Sequence, residues 1–531
     1  MNPELLLGDE AAALGAVHAG LSIAFSYPGT PASEIMEYLI DQSKTDGGFQ
    51  AFWCVNEKVA YEEALGVSFT GKRTMVSMKH VGLNVAADPF MNSALTRING
   101  GLVVVAADDP GMHSSQNEQD SRYYANFARI FCFEPSDHQE AYDMTREAFD
   151  ISEKYNIPVM IRMVTRLSHS RSRIKPRPQR KQNEKKIGRR NEWTLLPVNA
   201  RREFKRLVDS QPELIKMSND CSYNRLSLEG AKGFIASGIG YNYLLENLQA
   251  HEMKPSILKI ASYPLPETLI KKLTGHVDEI MVVEEGYPFI EERLKGLFGV
   301  HGKIIKGKLS GDLPLTGEMN PELIKTAFLN KNKAQKSKKE IKLPNRPPQL
   351  CQGCPHADTF NALNKVLEDF KEPVVFSDIG CYTLGALPPY KAVDTCVCMG
   401  ASVSMTKGGS DAGLYPAVAV IGDSTFAHSG ITPLLDAARA NSNMTVLIVD
   451  NAAVAMTGGQ PTFATGERLA GIAAGVGVSQ EHIRTIIPLP KNFDQNIKVI
   501  KEEIEYPKLS VVISSRECIQ EAKKQAKKGA K

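Results

Sequence analysis

The apolar run Ala417–Ile421 stops at Gly422-Asp423-Ser424, and 26 residues later a second run, Thr445–Val449, stops at Asp450-Asn451. Between them Ser429-Gly-Ile-Thr-Pro433 opens a helical pattern reaching Arg439. Two buried strands joined by one helix form a parallel pair, because the crossover returns the chain in the same direction. Asp423 and Asn451 then stand at the C-terminal ends of strands, where open parallel sheets bind ligands. One carboxylate and one amide oxygen, completed by diphosphate oxygens and a backbone carbonyl, make an octahedral Mg²⁺ site. A helix N-terminus nearby favours the diphosphate charge. Gly-Asp alone would be a turn before an unrelated strand; the strand–helix–strand layout gives it meaning.

The same alternation runs through the rest of the chain and predicts an α/β protein with several doubly wound, mostly parallel sheets. Helix Asp9–Ala19, the run Leu21–Phe25, a turn at Tyr27-Pro-Gly-Thr-Pro31, strand Ala51–Val55, a helix from Asn56, and strands Thr74–Met78, Gly101–Ala107 and Val159–Met163 define a first domain, 1–165. Residues 166–225 read as a basic linker region, with 11 Lys or Arg and one acid between Arg166 and Arg190. A smaller α/β domain, 226–328, carries strands Gly233–Ala236, Ser256–Ile260 and Ile280–Val283. A polar linker, 329–348, leads to the last domain, 349–531, whose Lys-rich end is expected to fray.

Composition removes several function classes. Lys+Arg number 63 against Asp+Glu 60, a net charge of +3, so no global field points to nucleic acid or membrane. No aromatic residues interleave with the basic run, which therefore reads as a solvated surface and not a nucleic-acid patch. No apolar run reaches the length of a bilayer span, and the first residues show no leader pattern. Nine cysteines, an odd count with one Cys-x-x-Cys, point to a reducing compartment with metal or redox chemistry. The expectation is a large cytoplasmic enzyme.

Seven segments make the assignment specific. They are Ser26-Tyr-Pro-Gly-Thr-Pro31, Asn56-Glu-Lys-Val-Ala60, Met78-Lys-His-Val-Gly-Leu-Asn-Val-Ala86, Leu350-Cys-Gln-Gly-Cys-Pro-His356, Asp378-Ile-Gly-Cys-Tyr-Thr-Leu-Gly385, Met399-Gly-Ala-Ser402 and Asp450-Asn-Ala-Ala-Val-Ala-Met-Thr-Gly458. With Gly422-Asp423-Ser424 and Asn451, they resemble in order the alpha subunits of indolepyruvate:ferredoxin oxidoreductases, within the thiamine diphosphate-dependent 2-oxoacid:ferredoxin oxidoreductase superfamily. The family's usual Gly-Asp-Gly has Ser424 in its third place. The resemblance implies a pyrimidine-binding domain first, a transketolase-C-like domain next and a diphosphate-binding domain last, with thiamine diphosphate between the first and the last.

It also implies roles. Glu57 is the acid that meets N1′ of the aminopyrimidine, although alone it reads as a first-turn acid on a helix dipole. Thr30, Lys79 and His80 are substrate-binding candidates, with turn chemistry and a structural histidine as equal readings. Gly422, Asp423, Ser424, Asn451, Met399 and Thr457 bind the cofactor; Asp423, Asn451 and Ala453 hold Mg²⁺. Met399 would bend the cofactor, or simply pack. Cys351, Cys354, Cys381 and Cys518 match the four ligands of a 4Fe-4S cluster, with zinc or no metal as alternatives and Cys396-Val-Cys398 as a substitute pair on a strand face.

The implied activity is oxidative decarboxylation of aryl pyruvates to acyl-CoA, with ferredoxin as acceptor and coenzyme A as co-substrate. The implied partners are a smaller beta subunit, in a hetero-oligomer such as (αβ)2, and ferredoxin or a separate iron–sulfur protein, because no ferredoxin-like motif follows Cys518. Two other readings stand beside it: a non-oxidative thiamine diphosphate-dependent decarboxylase, and a catalytically silent scaffold subunit.

Overall fold

Strands Thr74–Lys79, Leu102–Asp108 and Val159–Val164 are buried at every position, which only the middle of a sheet covered on both faces allows. The computed structural model describes residues 3–46, 48–188, 193–251, 253–298, 300, 302–329 and 348–529. They form two compact units, one up to residue 329 and one from residue 348. Residues 330–347 of the expected polar linker lie outside the described residues.

The first unit contains a seven-stranded sheet in the order Ser262–Tyr263, Phe131–Phe133, Val159–Val164, Leu102–Asp108, Thr74–Lys79, Ile23–Ser26 and Gln50–Trp53. All neighbours are parallel except the first pair. A five-stranded sheet follows, in the order Ile304–Lys306, Glu279–Val283, Lys232–Ser237, Ser256–Ile260 and Arg225–Ser227. The first and third expected domains thus share one unit. Buried charges lie where they meet: Arg162 donates to Asp108 (2.6 Å) and Glu134 (2.5 Å), and Arg122 to Asp120 and Glu284 (2.9 Å). Tyr263, on the short strand that edges the seven-stranded sheet, donates to Glu134. Such charges persist only when paired, so the network fixes one docking geometry.

The stretch expected as a basic linker is strapped onto this unit. Arg171–Ile174 pairs antiparallel with Glu4–Leu7. Further on, the Arg177 N–H donates to Tyr142 Oη (2.7 Å), the Arg180 N–H to the His18 carbonyl (2.9 Å) and the Lys186 N–H to the Thr70 carbonyl (2.8 Å). Helices Pro197–Asp209 and Gln211–Asp220 then bury Leu207 and Leu214. The positive charges point outward while the backbone is bonded inward, a division that a count of charges does not show.

The second unit is a five-stranded, wholly parallel sheet in the order Val374–Ser377, Ala417–Gly422, Thr445–Asp450, Ser510–Ser515 and Ile483–Ile486. Helix Pro355–Leu367 packs Phe360, Leu363 and Val366 against Val418, Val420 and Leu447. The end expected to fray is helical over Ile519–Gly529. Cys396 and Cys398 sit in an irregular segment and not on a strand, so their alternation gives them no shared strand face. Among the described residues no helix is long and apolar enough to cross a membrane.

Candidate active site

Three strand ends of the second unit carry the diphosphate-side candidates. Asp423 follows Gly422 at the end of its strand and is 3% exposed. Its Oδ1 accepts the Ser424 N–H (2.7 Å), whereas its Oδ2 is buried without a hydrogen-bond partner. Burial raises its pKa well above the usual carboxylate range, and the neighbouring Asp450 raises it further. Asp450 is saturated: it accepts from Thr465 (2.7 Å), the Gly466 N–H (2.8 Å) and Ser515 (2.7 Å). A buried carboxylate beside a second one, with one oxygen unpartnered, suits a cation. Asn451 Oδ1 accepts the Ala453 N–H (3.1 Å) and keeps a second lone pair. The Ser424 hydroxyl is also buried and unpartnered. These residues fit a divalent cation holding a diphosphate. Gly422 is required here, since a Cβ would lie 2.6 Å from Tyr382 Cε1.

Asp378 follows the neighbouring strand and pins the turn carrying Met399. Its Oδ2 accepts from the Gly400 N–H (3.1 Å), the Ser402 N–H (3.1 Å) and the Ser402 hydroxyl (2.6 Å). Burial pushes its pKa up to about 6 against these donors. Met399 is half-buried. Thr457 lies just past the short strand Ala453–Val454, and its hydroxyl donates to Gln460 (2.6 Å).

The cysteines converge from three segments. Cys351 and Cys354 flank a turn closed by the Cys354 N–H on the Cys351 carbonyl (3.0 Å), and helix Pro355–Leu367 leaves from it. The Cys518 N–H donates to the Asn451 carbonyl (2.9 Å). Burial raises the Cys354 thiol pKa, and Cys351 and Cys518 add to it. Burial pushes the Cys381 thiol up to about 12, with Cys354, Cys518 and Cys351 again contributing. The four thiols therefore feel one another. Yet among the described residues no group of three or more Cys, His, Asp or Glu is gathered tightly enough for a single metal ion.

In the first unit Thr30, Glu57 and His80 follow C-terminal ends of parallel strands, and Lys79 is the last residue of one. Glu57 is buried in the first turn of helix Glu57–Phe69, whose N-cap Asn56 accepts the Val59 N–H (2.8 Å). Its carboxylate rests against Gly82, where a Cβ would come within 2.5 Å of Oε1. Lys79 Nζ donates to the Ser114 carbonyl (2.7 Å), and the Ser114 hydroxyl reaches the Thr30 carbonyl (3.4 Å). Burial lowers the Lys79 pKa to about 8, against the pull of Asp109. His80 is buried, with Nε2 near the Asn117 carbonyl (3.2 Å) and Nδ1 unpartnered. Asp109 orders this loop by accepting from the Ser114 N–H (2.8 Å), Ser115 (2.6 Å) and Thr165 (2.8 Å).

Residues 14–201 match the family described as pyruvate flavodoxin/ferredoxin oxidoreductase, thiamine diP-bdg, and residues 378–524 match the thiamine pyrophosphate enzyme C-terminal TPP binding domain. Over 97% of its length the chain is 38% identical to the indolepyruvate oxidoreductase subunit IorA of Archaeoglobus fulgidus, covering 86% of that protein. The chain belongs to the IorA family of indolepyruvate oxidoreductase subunits. The subunits IorA of Methanothermobacter thermautotrophicus and Pyrococcus horikoshii are 36% and 37% identical over 97% of this chain, which covers 86% and 85% of them. Among solved structures, a 2-oxoglutarate:ferredoxin oxidoreductase from Magnetococcus marinus matches with a TM-score of 0.51 at 17% identity, over 62% of this chain and 65% of that one. That likeness concerns the fold. This chain carries thiamine diphosphate-binding domains.

Sequence reasoning named the residues at the strand ends but not those that orient them. Asp378, Asp109 and Asp450 all follow or end strands and hold turns through main-chain N–H groups. An acid at the C-terminal end of a predicted strand was the signal available for each.

Proposed function

We propose that this IorA-family chain is the thiamine diphosphate-bearing subunit of an aryl-pyruvate ferredoxin oxidoreductase, which oxidatively decarboxylates indolepyruvate and related 2-oxoacids to acyl-CoA. The observation that carries this is the buried Asp423 carboxylate, with one oxygen unpartnered at a strand end and Asn451 at the end of the adjacent parallel strand. Asp423, Asn451 and the Ala453 backbone would hold Mg²⁺, and Gly422, Ser424 and Thr457 the diphosphate. When bound, thiamine diphosphate supplies a nucleophilic carbon and an electron sink for the decarboxylation. Glu57 holds a proton at N1′ of the aminopyrimidine. Lys79, with Thr30 and His80, binds and orients the substrate carboxylate. Cys351, Cys354, Cys381 and Cys518 would hold a 4Fe-4S cluster that carries electrons toward ferredoxin or a separate iron–sulfur protein. A smaller beta subunit and coenzyme A complete the reaction.

The test is anaerobic isolation with iron and sulfide analysis, electron paramagnetic resonance, and product analysis from indolepyruvate and phenylpyruvate with the beta subunit added. The expected result is a dithionite-reducible cluster, lost in Cys354→Ser, and acyl-CoA formed only when an electron acceptor is present. Iron-free protein releasing aldehyde without CoA or acceptor would overturn the reading in favour of a simple decarboxylase.

A second expectation concerns Lys79. As pH rises through about 8 its ammonium loses its charge, so the KM for a 2-oxoacid rises while kcat changes less. Lys79→Arg keeps its charge at those pH values and flattens the profile. A wild-type KM that stays constant through that pH would remove Lys79 from the carboxylate site.

A further inference from the structure

Of the segments that carry the four candidate ligand cysteines, the two farthest apart in sequence are joined by one side chain. The guanidinium of Arg516 donates through Nη2 to the carbonyl of Gly353 (2.8 Å), inside the Cys351-x-x-Cys354 turn. Through Nη1 it donates to Asp358 Oδ2 (2.7 Å), in the first turn of the helix leaving that turn, and to the Pro488 carbonyl. Its own main-chain N–H donates to the Asp450 carbonyl (3.0 Å), extending the ladder between Thr445–Asp450 and Ser510–Ser515 by one rung. Cys518 is two residues further on, fixed by its N–H on Asn451.

We propose that Arg516 is a positioning residue for the iron–sulfur site, a fork that holds the Cys351-x-x-Cys354 turn in register with the Cys518 segment. The inference rests on the four-cysteine reading above. The Cys518 segment is set by main-chain bonds to the sheet, and the Cys351-x-x-Cys354 turn is set by its helix. Thr359 and Ser514 (2.7 Å) tie that helix to the strand before Cys518, but the turn itself, ahead of the helix, reaches the Cys518 segment through Arg516. Gly353 has φ +79°, and a Cβ there would meet Ile519 Cδ1 at 3.1 Å, so the turn approaches the Cys518 segment closely. Across that close approach the Gly353 carbonyl accepts from Arg516. A guanidinium presents several donors in a fixed plane and can span three acceptors; an ammonium of the same charge cannot. Four ligands from three segments must reach one cluster together, so slack between two segments costs occupancy before it costs fold.

The experiment uses the full-length chain, isolated anaerobically, as wild type, Arg516→Lys and Asp358→Asn. Iron and sulfide per chain, the resonance line shape of the reduced cluster, thermal unfolding and binding of Mg²⁺ with thiamine diphosphate are measured for each. Arg516→Lys is expected to lose iron and broaden the signal while unfolding temperature and cofactor binding stay near wild type. Asp358→Asn, which keeps the Gly353 tie, is expected to fall between the two. A purely electrostatic role would be rescued by Lys. Wild-type iron content and line shape in Arg516→Lys overturn the assignment of Arg516. Iron-free wild-type protein overturns the four-cysteine reading, and this inference with it.

Discussion

Asp423→Ala abolishes Mg²⁺-dependent stabilisation by thiamine diphosphate. A ligand that binds only the folded state at roughly a hundredfold above its Kd raises stability by about 2.7 kcal/mol; the variant is expected to show none of this in thermal unfolding or calorimetry. Asn451→Ala, which removes a neutral oxygen, weakens binding without abolishing it. The cofactor-free proteins give a second readout of opposite sign. Burial raises the Asp423 pKa, with Asp450 beside it adding to the effect. The group's contribution to stability is therefore present at low pH and lost as pH rises through its folded value. Without Mg²⁺, Asp423→Ala removes that loss, and its stability falls less than wild type's as pH is raised. Unchanged cofactor affinity in both variants would mean that the strand-end site is not the metal anchor.

That site was legible because its geometry is local. Gly422-Asp423 and Asp450-Asn451 end adjacent parallel strands, and the register pairs Gly422 with Val449. Two strand ends and one crossover need no long-range knowledge. The first unit's candidates were readable for the same reason: Thr30, Glu57 and Lys79–His80 each follow an apolar run. What the sequence hid was whatever depends on distant partners. Strand Arg171–Ile174 has three exposed residues of four and pairs only because Glu4–Leu7 lies beside it. The Lys-rich end is helical although its composition suggested fraying, since Lys and Ala are good helix formers. The union of the first and third expected domains turns on Arg122 and Arg162, buried charges whose four carboxylate partners are spread from Asp108 to Glu284. Arg516 belongs to the same class: its acceptors on Asp358 and Gly353 precede it by 158 and 163 residues. Positions were visible wherever one element sufficed, and the ties between elements were not.

Glu57→Gln is expected to keep the cofactor and lose turnover. Glutamine fills the same space beside Gly82, where the backbone leaves no room for a Cβ, so the pocket keeps its shape. It can still hydrogen-bond N1′ but cannot share a proton with it. General acid–base groups contribute typically about 10²–10⁴-fold, and the fall in kcat should lie in that range with little change in cofactor affinity. Gly82→Ala tests the same contact from the other side. Its methyl would force the Glu57 carboxylate away and should lower kcat while leaving residue 57 a carboxylate. The two variants separate chemistry from placement. In Glu57→Gln, hydrogen–deuterium exchange at the thiazolium C2 slows with turnover, because the proton at N1′ is missing. In Gly82→Ala it slows because the carboxylate no longer reaches. A Glu57→Gln protein with near-normal exchange and turnover would move the role to another acid and leave Glu57 as a helix N-terminal residue whose charge only favours the helix dipole.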